Sequence, residues 1–391
     1  MSNDQPRVLF LTTSFPLHRD HWSGVFLLRQ AIALTRLNCP VTVLAPGDGK
    51  AAAREEIDGV AVHRFPYPGD RTHPLAYGGG IPANLKNDRS LWWTVPGFAT
   101  ALRRHAIRLL PDIDILHAHW SFAGLLATLP GIASRRPLVV SFHGSDLAQP
   151  AGPLAWAAKR AARRAAGVVV HSDEMKRRAL ALGLPEAKIL VIPHGIAIDD
   201  YPLVTRAAEP VRILAVGRLS EEKGFDVLLE ALRHFSATLD WRLIVIGEGP
   251  LREKLLQQAR SIGIAGRVEF AGPLPPQAVR EQMGHAHLLA VPSRREGFSV
   301  VTLEAMAAGL PVVGTAVGAL PQLVRQDETG FLVPPGDVAA LAAALRHVLT
   351  DPARRDRMGE RAREMAARDY SPTAVNRPLA ELYRRLGPAN A

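Results

Sequence analysis

Five short segments of this 391-residue sequence join glycine to charged or hydroxyl side chains, and each follows a predicted β-strand. Ligands of open α/β sheets bind beyond the carboxyl ends of the strands, so segments in this position are candidates for a shared site. One such segment is weak evidence, whereas five at the same edge favour a binding site. The segments are residues 23–24, 141–146, 217–224, 247–250 and 293–304.

Two of these segments carry groups suited to holding an anion. Arg218 and Lys223 lie on a predicted strand-to-helix turn, where two cations can neutralise a diphosphate. Gly297, Phe298 and Ser299 open a predicted helix, whose first N–H groups and dipole favour an anion. Ser299 is also a suitable N-cap. We therefore predict a diphosphate site in the second half of the chain, with ordinary surface charges as the alternative.

Four further residues could serve a sugar beside that diphosphate. Glu304 lies a little over one helical turn beyond Ser299, where its carboxylate can accept hydrogen bonds from a diol. Glu296 precedes the same helix, nearer to a sugar attached to the phosphates. His143 could donate to a sugar hydroxyl or assist a leaving oxygen, and Gly24 would let the backbone approach a ligand closely. Solvated acids and a structural histidine are the alternative interpretations.

Several familiar cofactor and metal motifs are incomplete. Arg252 occupies the third glycine position of a dinucleotide fingerprint, and no complete P-loop is present. Asp112 and Asp114 have the spacing of a metal–diphosphate site, but they precede a predicted strand and are expected at the opposite edge of the sheet. His117 and His119 have no evident third ligand. We expect no cofactor and no metal ion.

Short β-rich runs alternate with longer helical stretches along the chain, which predicts an α/β fold with parallel sheets. Thirteen predicted strands fit two sheets better than one. We place the break at Pro193–Gly195, giving domains of residues 1–194 and 195–370. Residues 67–96 are predicted to form a long irregular loop.

The composition of the sequence indicates which ligands, disulfides and membrane segments to expect. The 47 Lys and Arg residues exceed the 37 Asp and Glu residues by ten, which suits phosphates, anionic lipid or nucleic acid. The single cysteine, Cys39, allows no internal disulfide. No apolar run approaches the roughly 18 residues of a membrane span, and the start lacks a signal-peptide core. A cytoplasmic location is expected.

The sequence resembles retaining glycosyltransferase family 4, which has the GT-B fold. An E-x(7)-E element from Glu296 to Glu304, in EGFSVVTLEAMAAGLPVV, carries the resemblance together with VGRLSEEKG (216–224), VIGEGP (245–250) and VIPHGI (191–196). His194 departs from the asparagine usual in the family. The resemblance implies two facing Rossmann-like domains across an interdomain cleft, with a final helix, residues 371–391, packing back on the first domain.

The resemblance also implies a nucleotide diphosphate sugar as the donor substrate, with no cofactor, and a carbohydrate or lipid-linked acceptor bound by the first domain. The implied donor-binding residues are Gly24, Gly217, Arg218, Lys223, Gly297, Phe298, Ser299 and Glu304. The implied catalytic residues are His143, Arg218, Lys223 and Glu296. We assign His119, Trp120 and Asp146 to the acceptor.

We therefore expect a retaining, metal-independent glycosyltransferase. The segment HAHWSFAG (117–124) resembles members that build bacterial surface polysaccharides, so a role in cell-surface polysaccharide or glycolipid biosynthesis is expected. Two alternatives stay open: a nucleotide-sugar epimerase on the same fold, and a non-catalytic basic protein that binds membranes or nucleic acid.

A basic stripe lies on one predicted helix and consists of Lys159, Arg160, Arg163 and Arg164. With Trp92 and Trp93 on a separate loop, it is a candidate peripheral contact with the anionic inner face of the cell membrane. A solvated helix face is the alternative. Nucleic acid is not expected as a partner, because aromatic residues do not interleave with the stripe.

Overall fold

The computed structural model describes residues 5–18, 21, 23–70, 75–78, 80–132, 136–144, 146–147, 151–206, 210–235 and 239–387. The chain divides into two compact units. Unit 1 comprises Met1–Gly195 and Pro372–Ala391, and unit 2 comprises Ile196–Ser371. The sequence placed both boundaries one residue earlier. Each unit is an α/β structure built on a mainly parallel sheet, which confirms the predicted fold class.

Unit 1 is built on an eight-stranded sheet with the order β3-β4-β2-β1-β5-β6-β7-β8. All neighbouring strands are parallel except β3 and β4, which are antiparallel. Its strands are β1 (Val8–Leu11), β2 (Val41–Pro46), β3 (Arg54–Ile57), β4 (Val60–Phe65), β5 (Ile115–His119), β6 (Leu138–Ser141), β7 (Gly167–Val170) and β8 (Ile189–Val191). Strands β1, β6 and β7 are wholly buried, as parallel strands covered on both faces must be.

Helices cover both faces of this sheet. They are α1 (Val25–Arg36), α2 (Ile81–Asn87), α3 (Val95–Leu109), α4 (Trp120–Ala127), α5 (Pro153–Arg164) and α6 (Asp173–Ala181). The prediction of a long irregular loop over residues 67–96 is wrong where α2 and the 3-10 helix Arg89–Thr94 lie. Pro82 opens α2, and the Asp88 carboxylate accepts the Ser90 N–H at the start of the 3-10 helix. Residues 71–74 and 79 of this predicted loop lie outside the described residues.

Unit 2 is built on a six-stranded parallel sheet with the order β11-β10-β9-β12-β13-β14. Its strands are β9 (Val211–Val216), β10 (Trp241–Ile246), β11 (Val268–Gly272), β12 (Leu288–Val291), β13 (Val312–Thr315) and β14 (Gly330–Val333). Its helices are α7 (Phe225–Arg233), α8 (Arg252–Ser261), α9 (Pro276–His285), α10 (Val300–Ala307), α11 (Leu320–Leu323), α12 (Val338–Leu349) and α13 (Pro352–Asp369).

The structure has a counterpart for each of the thirteen predicted strands and adds β3. Strand β3 escaped prediction because its sequence, REEI, lacks the apolar alternation of a half-buried strand. The sequence predicted this strand from Ile113, whereas β5 begins at Ile115. The Asp114 carboxylate before it accepts the backbone N–H and guanidinium of Arg7. This ion pair places Asp114 at the amino edge of the sheet, as predicted.

The last helix, α14 (Pro372–Leu386), belongs to unit 1 and packs against α1. Leu379, Ala380 and Tyr383 are fully buried in the same apolar cluster as Val8 and Phe10 of β1. The Gln30 amide on α1 donates to the Asn376 side chain at 3.0 Å. The C-terminal helix therefore completes the core of the unit that begins the chain.

Truncation of this helix contact tests how much unit 1 depends on it. We expect Leu379→Ala to lower the free energy of unfolding by about 2–5 kcal/mol, because it leaves a cavity in a closed core. Arg385→Ala, at an exposed position of the same helix, is the matched control and should change stability by less than about 0.5 kcal/mol. Urea denaturation followed by circular dichroism measures both, and equal stabilities would contradict this packing.

Candidate active site

Lys223 and Glu296 form an ion pair at the carboxyl edge of the unit 2 sheet. The distance from Lys223 Nζ to Glu296 Oε2 is 2.7 Å, and the Ser293 hydroxyl donates to the same oxygen at 3.2 Å. The side chains are 25% and 11% exposed. Lys223 follows β9 and Glu296 follows β12, which are neighbours in the sheet. Lys223 and Glu296, which the sequence predicted to be catalytic residues, therefore contact each other as an ion pair.

The loops that hold this pair pack together so closely that glycine is required. A Cβ on Gly224 would lie 2.1 Å from the Pro292 carbonyl oxygen, and Gly224 has a left-handed φ of 65°. A Cβ on Gly247 would lie 2.0 Å from the Gly217 carbonyl oxygen. The segments after β9, β10 and β12 therefore contact one another, which is the convergence that the sequence predicted for this half of the chain.

A fourth loop, after β13, joins this edge of the sheet. A Cβ on Gly318 would lie 2.4 Å from the Glu296 carbonyl oxygen, and the Ala319 N–H donates to the Gly297 carbonyl at 3.1 Å. Sequence reasoning missed this loop because it carries no charged side chain. Strands β9 and β13 lie on opposite sides of β12 in the sheet. The loop after β13 therefore contacts the backbone of Glu296 and Gly297 from the side opposite the loop that carries Lys223.

Two further ion pairs tie the loop after β9 and the first turn of α7 to the loop after β12. Arg294 donates to both carboxylate oxygens of Asp226 at 2.7 and 2.6 Å, and Arg295 lies 3.1 Å from Glu222. Hydrogen bonds from Arg294 hold the pKa of the Asp226 carboxyl below its usual value. Sequence reasoning did not identify these partners, although the two arginines directly precede Glu296.

The other predicted donor-site residues occupy the same edge in different settings. Arg218 is exposed directly after Gly217, and Glu304 is half-buried on α10. Ser299 lies at the N-cap of α10, but the prediction that its side chain caps the helix is wrong. Its hydroxyl oxygen instead accepts a hydrogen bond from Thr302 at 2.8 Å.

In unit 1, Asp146 ties His143 to the start of α4. Its carboxylate accepts the N–H of His143 and the N–H of Ser121, each at 2.8 Å. Burial raises the pKa of Asp146 to about 6. The Trp120 ring lies 4.5 Å from the His143 ring, and His119 Nδ1 lies 3.4 Å from His143 Nε2. The three residues assigned to the acceptor therefore surround His143, whereas Ser145 lies outside the described residues.

Gly24 is required by the fold of unit 1 itself. It precedes α1 with a left-handed φ of 74°, and a Cβ there would lie 2.9 Å from the Ser14 carbonyl oxygen. Phe26, in the first turn of α1, places its ring 5.1 Å from the His143 ring. The structure thus brings the first predicted segment next to the second, while close approach of a ligand at Gly24 stays a prediction.

Five buried histidines form a stack of imidazole rings beside His143. Successive ring centroids lie 4.3, 5.6, 4.8 and 4.2 Å apart, with interplanar angles between 20° and 25°. They come from the ends of β5, β6, β7 and β8, and sequence reasoning did not connect them although each lies at or just after a predicted strand. In stacking order they are His117, His119, His143, His171 and His194.

Burial lowers the pKa of every histidine in this stack, to about 3 for His117 and about 4 for His171. The imidazoles are therefore neutral at physiological pH. His117 uses both ring nitrogens, one on the Tyr383 hydroxyl and the other on the Ser141 hydroxyl at 2.7 Å. It is a structural histidine that joins β5 to β6 and α14, and the interpretation of His117 and His119 as a metal pair has no support.

A cavity of about 390 Å³ lies elsewhere at the carboxyl edge of the unit 1 sheet, after β2 and β4. Arg64 and Tyr67 contribute to its lining, together with Gly47 and Gly49 of residues 47–51, a glycine-containing segment that does not complete a P-loop. Arg64 is nearly buried, and its guanidinium lies 2.8 Å from Glu55. Sequence reasoning attached no function to this segment.

Comparisons with known proteins identify glycosyltransferase families in both halves of the chain. The family description "Glycosyl transferase 4-like domain" matches residues 23–195, and "Glycosyl transferases group 1" matches residues 204–365. D-inositol 3-phosphate glycosyltransferase of Kineococcus radiotolerans is 31% identical, over 74% of this chain and 74% of that protein. Amylovoran biosynthesis glycosyltransferase AmsK of Erwinia amylovora is 28% identical, over 97% and 100%. The solved structure of Anabaena Alr3699/HepE in complex with UDP-glucose has a TM-score of 0.75 at 22% identity, covering 97% and 100%.

The lowered histidine pKa values predict loss of stability in acid. A histidine that is neutral in the fold contributes stability above its unfolded pKa of about 6.5, and this is lost as pH falls towards the folded pKa. For His117 the loss at pH 5.5 is about 1 kcal/mol relative to neutral pH. The raised pKa of Asp146 acts in the opposite direction.

We therefore expect the melting temperature to fall between pH 7.5 and 5.5, and to fall less steeply in His117→Gln. Thermal denaturation of both proteins with EDTA present measures the two slopes. His285→Gln, at an exposed position of α9, is the control and should retain the wild-type slope. Identical slopes for the wild type and His117→Gln would show that His117 does not titrate as described.

Proposed function

Because this chain belongs to the group 1 glycosyltransferases, we propose that it transfers a sugar from a nucleotide diphosphate donor to an acceptor hydroxyl with retention of anomeric configuration. The two family descriptions that match the chain confirm the glycosyltransferase family that the E-x(7)-E element predicted. The observation that carries the proposal is the Lys223–Glu296 pair at the carboxyl edge of unit 2. It offers a cation to phosphate and a carboxylate to sugar hydroxyls. UDP-glucose in the Anabaena neighbour supports a donor of this class.

In the proposed reaction the bond between the anomeric carbon and the diphosphate oxygen breaks, and the acceptor oxygen forms a new bond to the same face of that carbon. The acceptor's proton passes to the departing phosphate oxygen. Charge therefore accumulates on the diphosphate in the transition state, and preorganised cations and N–H groups that stabilise this charge supply the main catalytic effect.

Arg218, Lys223 and the first N–H groups of α10 are the proposed stabilising groups, with no metal ion required. An anion beside Lys223 would compete for the ammonium group with Glu296, whose carboxylate lies 2.7 Å away. Glu296 is then available to the transferred sugar. Glu304, on the same segment, is proposed to accept hydrogen bonds from the ribose hydroxyls.

His143 is proposed to hydrogen-bond a hydroxyl of the transferred sugar. Its ring is neutral, and since Nε2 contacts His119 Nδ1 at 3.4 Å, Nδ1 is the nitrogen proposed to bond the hydroxyl. Asp146, which accepts the His143 backbone N–H, is a positioning residue. A carbohydrate or lipid-linked acceptor for cell-surface polysaccharide or glycolipid synthesis is proposed, and the resemblance of residues 117–124 supports it. No observation favours the epimerase or the non-catalytic protein.

The donor site is tested by Lys223→Ala and Glu304→Gln. Each variant should lower kcat/KM for release of nucleoside diphosphate by roughly 10- to 150-fold, because each loses a charge-assisted hydrogen bond of about 1.5–3 kcal/mol. The measurement uses a panel of UDP-, GDP- and ADP-sugars with EDTA present. A requirement for added divalent metal would contradict the metal-independent mechanism.

Matched controls for these variants lie at exposed positions of unit 2. Lys254→Ala on α8 and Glu269→Gln on β11 remove the same charges away from the carboxyl edge, and both should keep wild-type rates. Thermal denaturation checks that Lys223→Ala is folded although Glu296 has lost its partner. Wild-type turnover in both donor-site variants would refute the proposed site.

We also propose that α5 contacts an anionic membrane surface. All four residues of the basic stripe are exposed, and Trp156, one turn before Arg160, is 59% exposed. The opposite face of α5 is alanine-rich, buried and packed against α4. Sequence reasoning missed Trp156, whose aromatic ring suits the lipid interface. Within the described residues, no helix combines the length and apolar character that a bilayer span requires.

The membrane proposal predicts binding to vesicles that contain phosphatidylserine. The double variant Arg160→Gln/Arg163→Gln should bind about 10- to 30-fold more weakly, since each basic residue near an anionic surface contributes about 1 kcal/mol. Lys254→Gln/Arg260→Gln on α8 is the matched control and should bind like the wild type. Vesicle co-sedimentation measures all three proteins, and equal binding by the two double variants would indicate that the stripe is an ordinary solvated face.

A further inference from the structure

Three histidines of the imidazole stack bring their ring nitrogens close together. One ligand atom from each of His143, His171 and His194 lies within 4.8 Å of the other two. The residues are 7%, 1% and 9% exposed. They follow three consecutive strands at the carboxyl edge of the unit 1 sheet, so the parallel topology itself places them side by side.

His171 has the hydrogen-bonding pattern of a metal ligand. Its Nδ1 donates to the Ile192 carbonyl at 2.8 Å, which leaves the lone pair on Nε2. Nε2 is buried and has no hydrogen-bond partner among the described residues. Histidines that bind metals commonly donate their second nitrogen to a carbonyl in this way, which fixes the tautomer and the ring orientation. A buried nitrogen without a partner is costly unless something occupies it.

We propose that His143, His171 and His194 form a binding site for a divalent transition metal ion of the zinc class. Three neutral imidazole nitrogens are a common ligand set for such ions, with a fourth position left for water or substrate. Metal–nitrogen bonds of about 2.0–2.1 Å bring tetrahedral ligand atoms to about 3.4 Å from one another. The three nitrogens must therefore approach by roughly an ångström. A metal ion lies in the plane of each imidazole that binds it, whereas the rings of His143 and His194 are 4° from parallel. These two rings must therefore also turn out of the stack until their lone pairs converge with that of His171.

The charges around the site set a limit on its affinity. The positive charge of Arg29 acts on His194, whose pKa is lowered first by burial and further by neighbouring charges. The Asp146 carboxylate, which accepts the His143 backbone N–H, supplies negative charge nearby. We therefore expect weaker binding than in a site that adds a carboxylate ligand, and preference for ions that favour imidazole nitrogen over oxygen-seeking Mg²⁺.

Occupancy of this site would engage the histidine that the glycosyltransferase needs. A lone pair of His143 bound to metal cannot accept from a sugar hydroxyl, and the ring cannot reorient. Bound zinc should therefore inhibit sugar transfer. This consequence rests on the proposed function, whereas binding of the metal does not.

Cobalt is the direct probe of the site. The full-length chain is treated with EDTA, freed of chelator and titrated with Co²⁺, and the visible absorption of nitrogen-bound Co²⁺ is followed. We expect one ion per chain, displaced by Zn²⁺. His194→Asn should bind at least tenfold more weakly, and it introduces the residue usual in the family, so its fold should be retained. His285→Asn, exposed on α9, is the control and should bind like the wild type.

A second variant tests the metal site again, and a measurement of nucleoside diphosphate release separates metal binding from its inhibitory consequence. His171→Gln should also weaken Co²⁺ binding at least tenfold, and thermal denaturation without metal verifies its fold. Wild-type binding by folded His194→Asn, or absence of a Co²⁺ band from the wild type, would overturn the site. If the wild type binds Co²⁺ but Zn²⁺ leaves nucleoside diphosphate release unchanged, the inhibitory consequence is wrong. A chain that is inactive without metal but binds Co²⁺ would refute the proposed function alone.

Discussion

The candidate donor site depends on the ion pair between Lys223 and Glu296, two partly buried side chains that follow neighbouring strands. Either charge alone would be costly to remove from water, and the 2.7 Å pair satisfies both. An arriving diphosphate can take over the ammonium group of Lys223 without creating an unpaired cation at any stage. In the proposed reaction, this exchange of partners makes Glu296 available to the sugar attached to that diphosphate. Pairing the two charges with each other therefore keeps both at the site without leaving either one unpaired.

The pair has its geometry because the loops around it leave no space for alternatives. Gly224 and Gly247 lie where any Cβ would enter a neighbouring carbonyl oxygen, and Gly318 does the same against Glu296. The salt bridges of Arg294 and Arg295 add charge-assisted bonds between the same loops. Close loop packing therefore fixes the positions of Lys223 and Glu296, and the proposed electrostatic stabilisation requires such preorganised groups.

Much of this arrangement could be predicted because it depends on local signals. Alternating strands and helices set the fold class, and parallel topology placed residues 217–224 and 293–299 at one edge. What could not be predicted depends on distant partners. The Asp226–Arg294 pair and the hydroxyl contact that diverts Ser299 from capping have no sequence signature. The charged edge strand β3 lacked an apolar pattern because solvent, and not the core, faces most of it.

The two units use the carboxyl edges of their sheets in opposite electrostatic ways. Unit 2 places paired charges there, whereas unit 1 places imidazoles that burial keeps neutral. A stack of five protonated imidazoles could not exist at these spacings, because like charges less than 6 Å apart in a buried setting repel strongly. Neutrality is therefore a condition for the fold of unit 1 as well as for any lone pair that it offers. In the two proposals the same lone pairs would serve either a sugar hydroxyl or a metal ion, so the relative affinities and concentrations of the two ligands decide which of them engages His143.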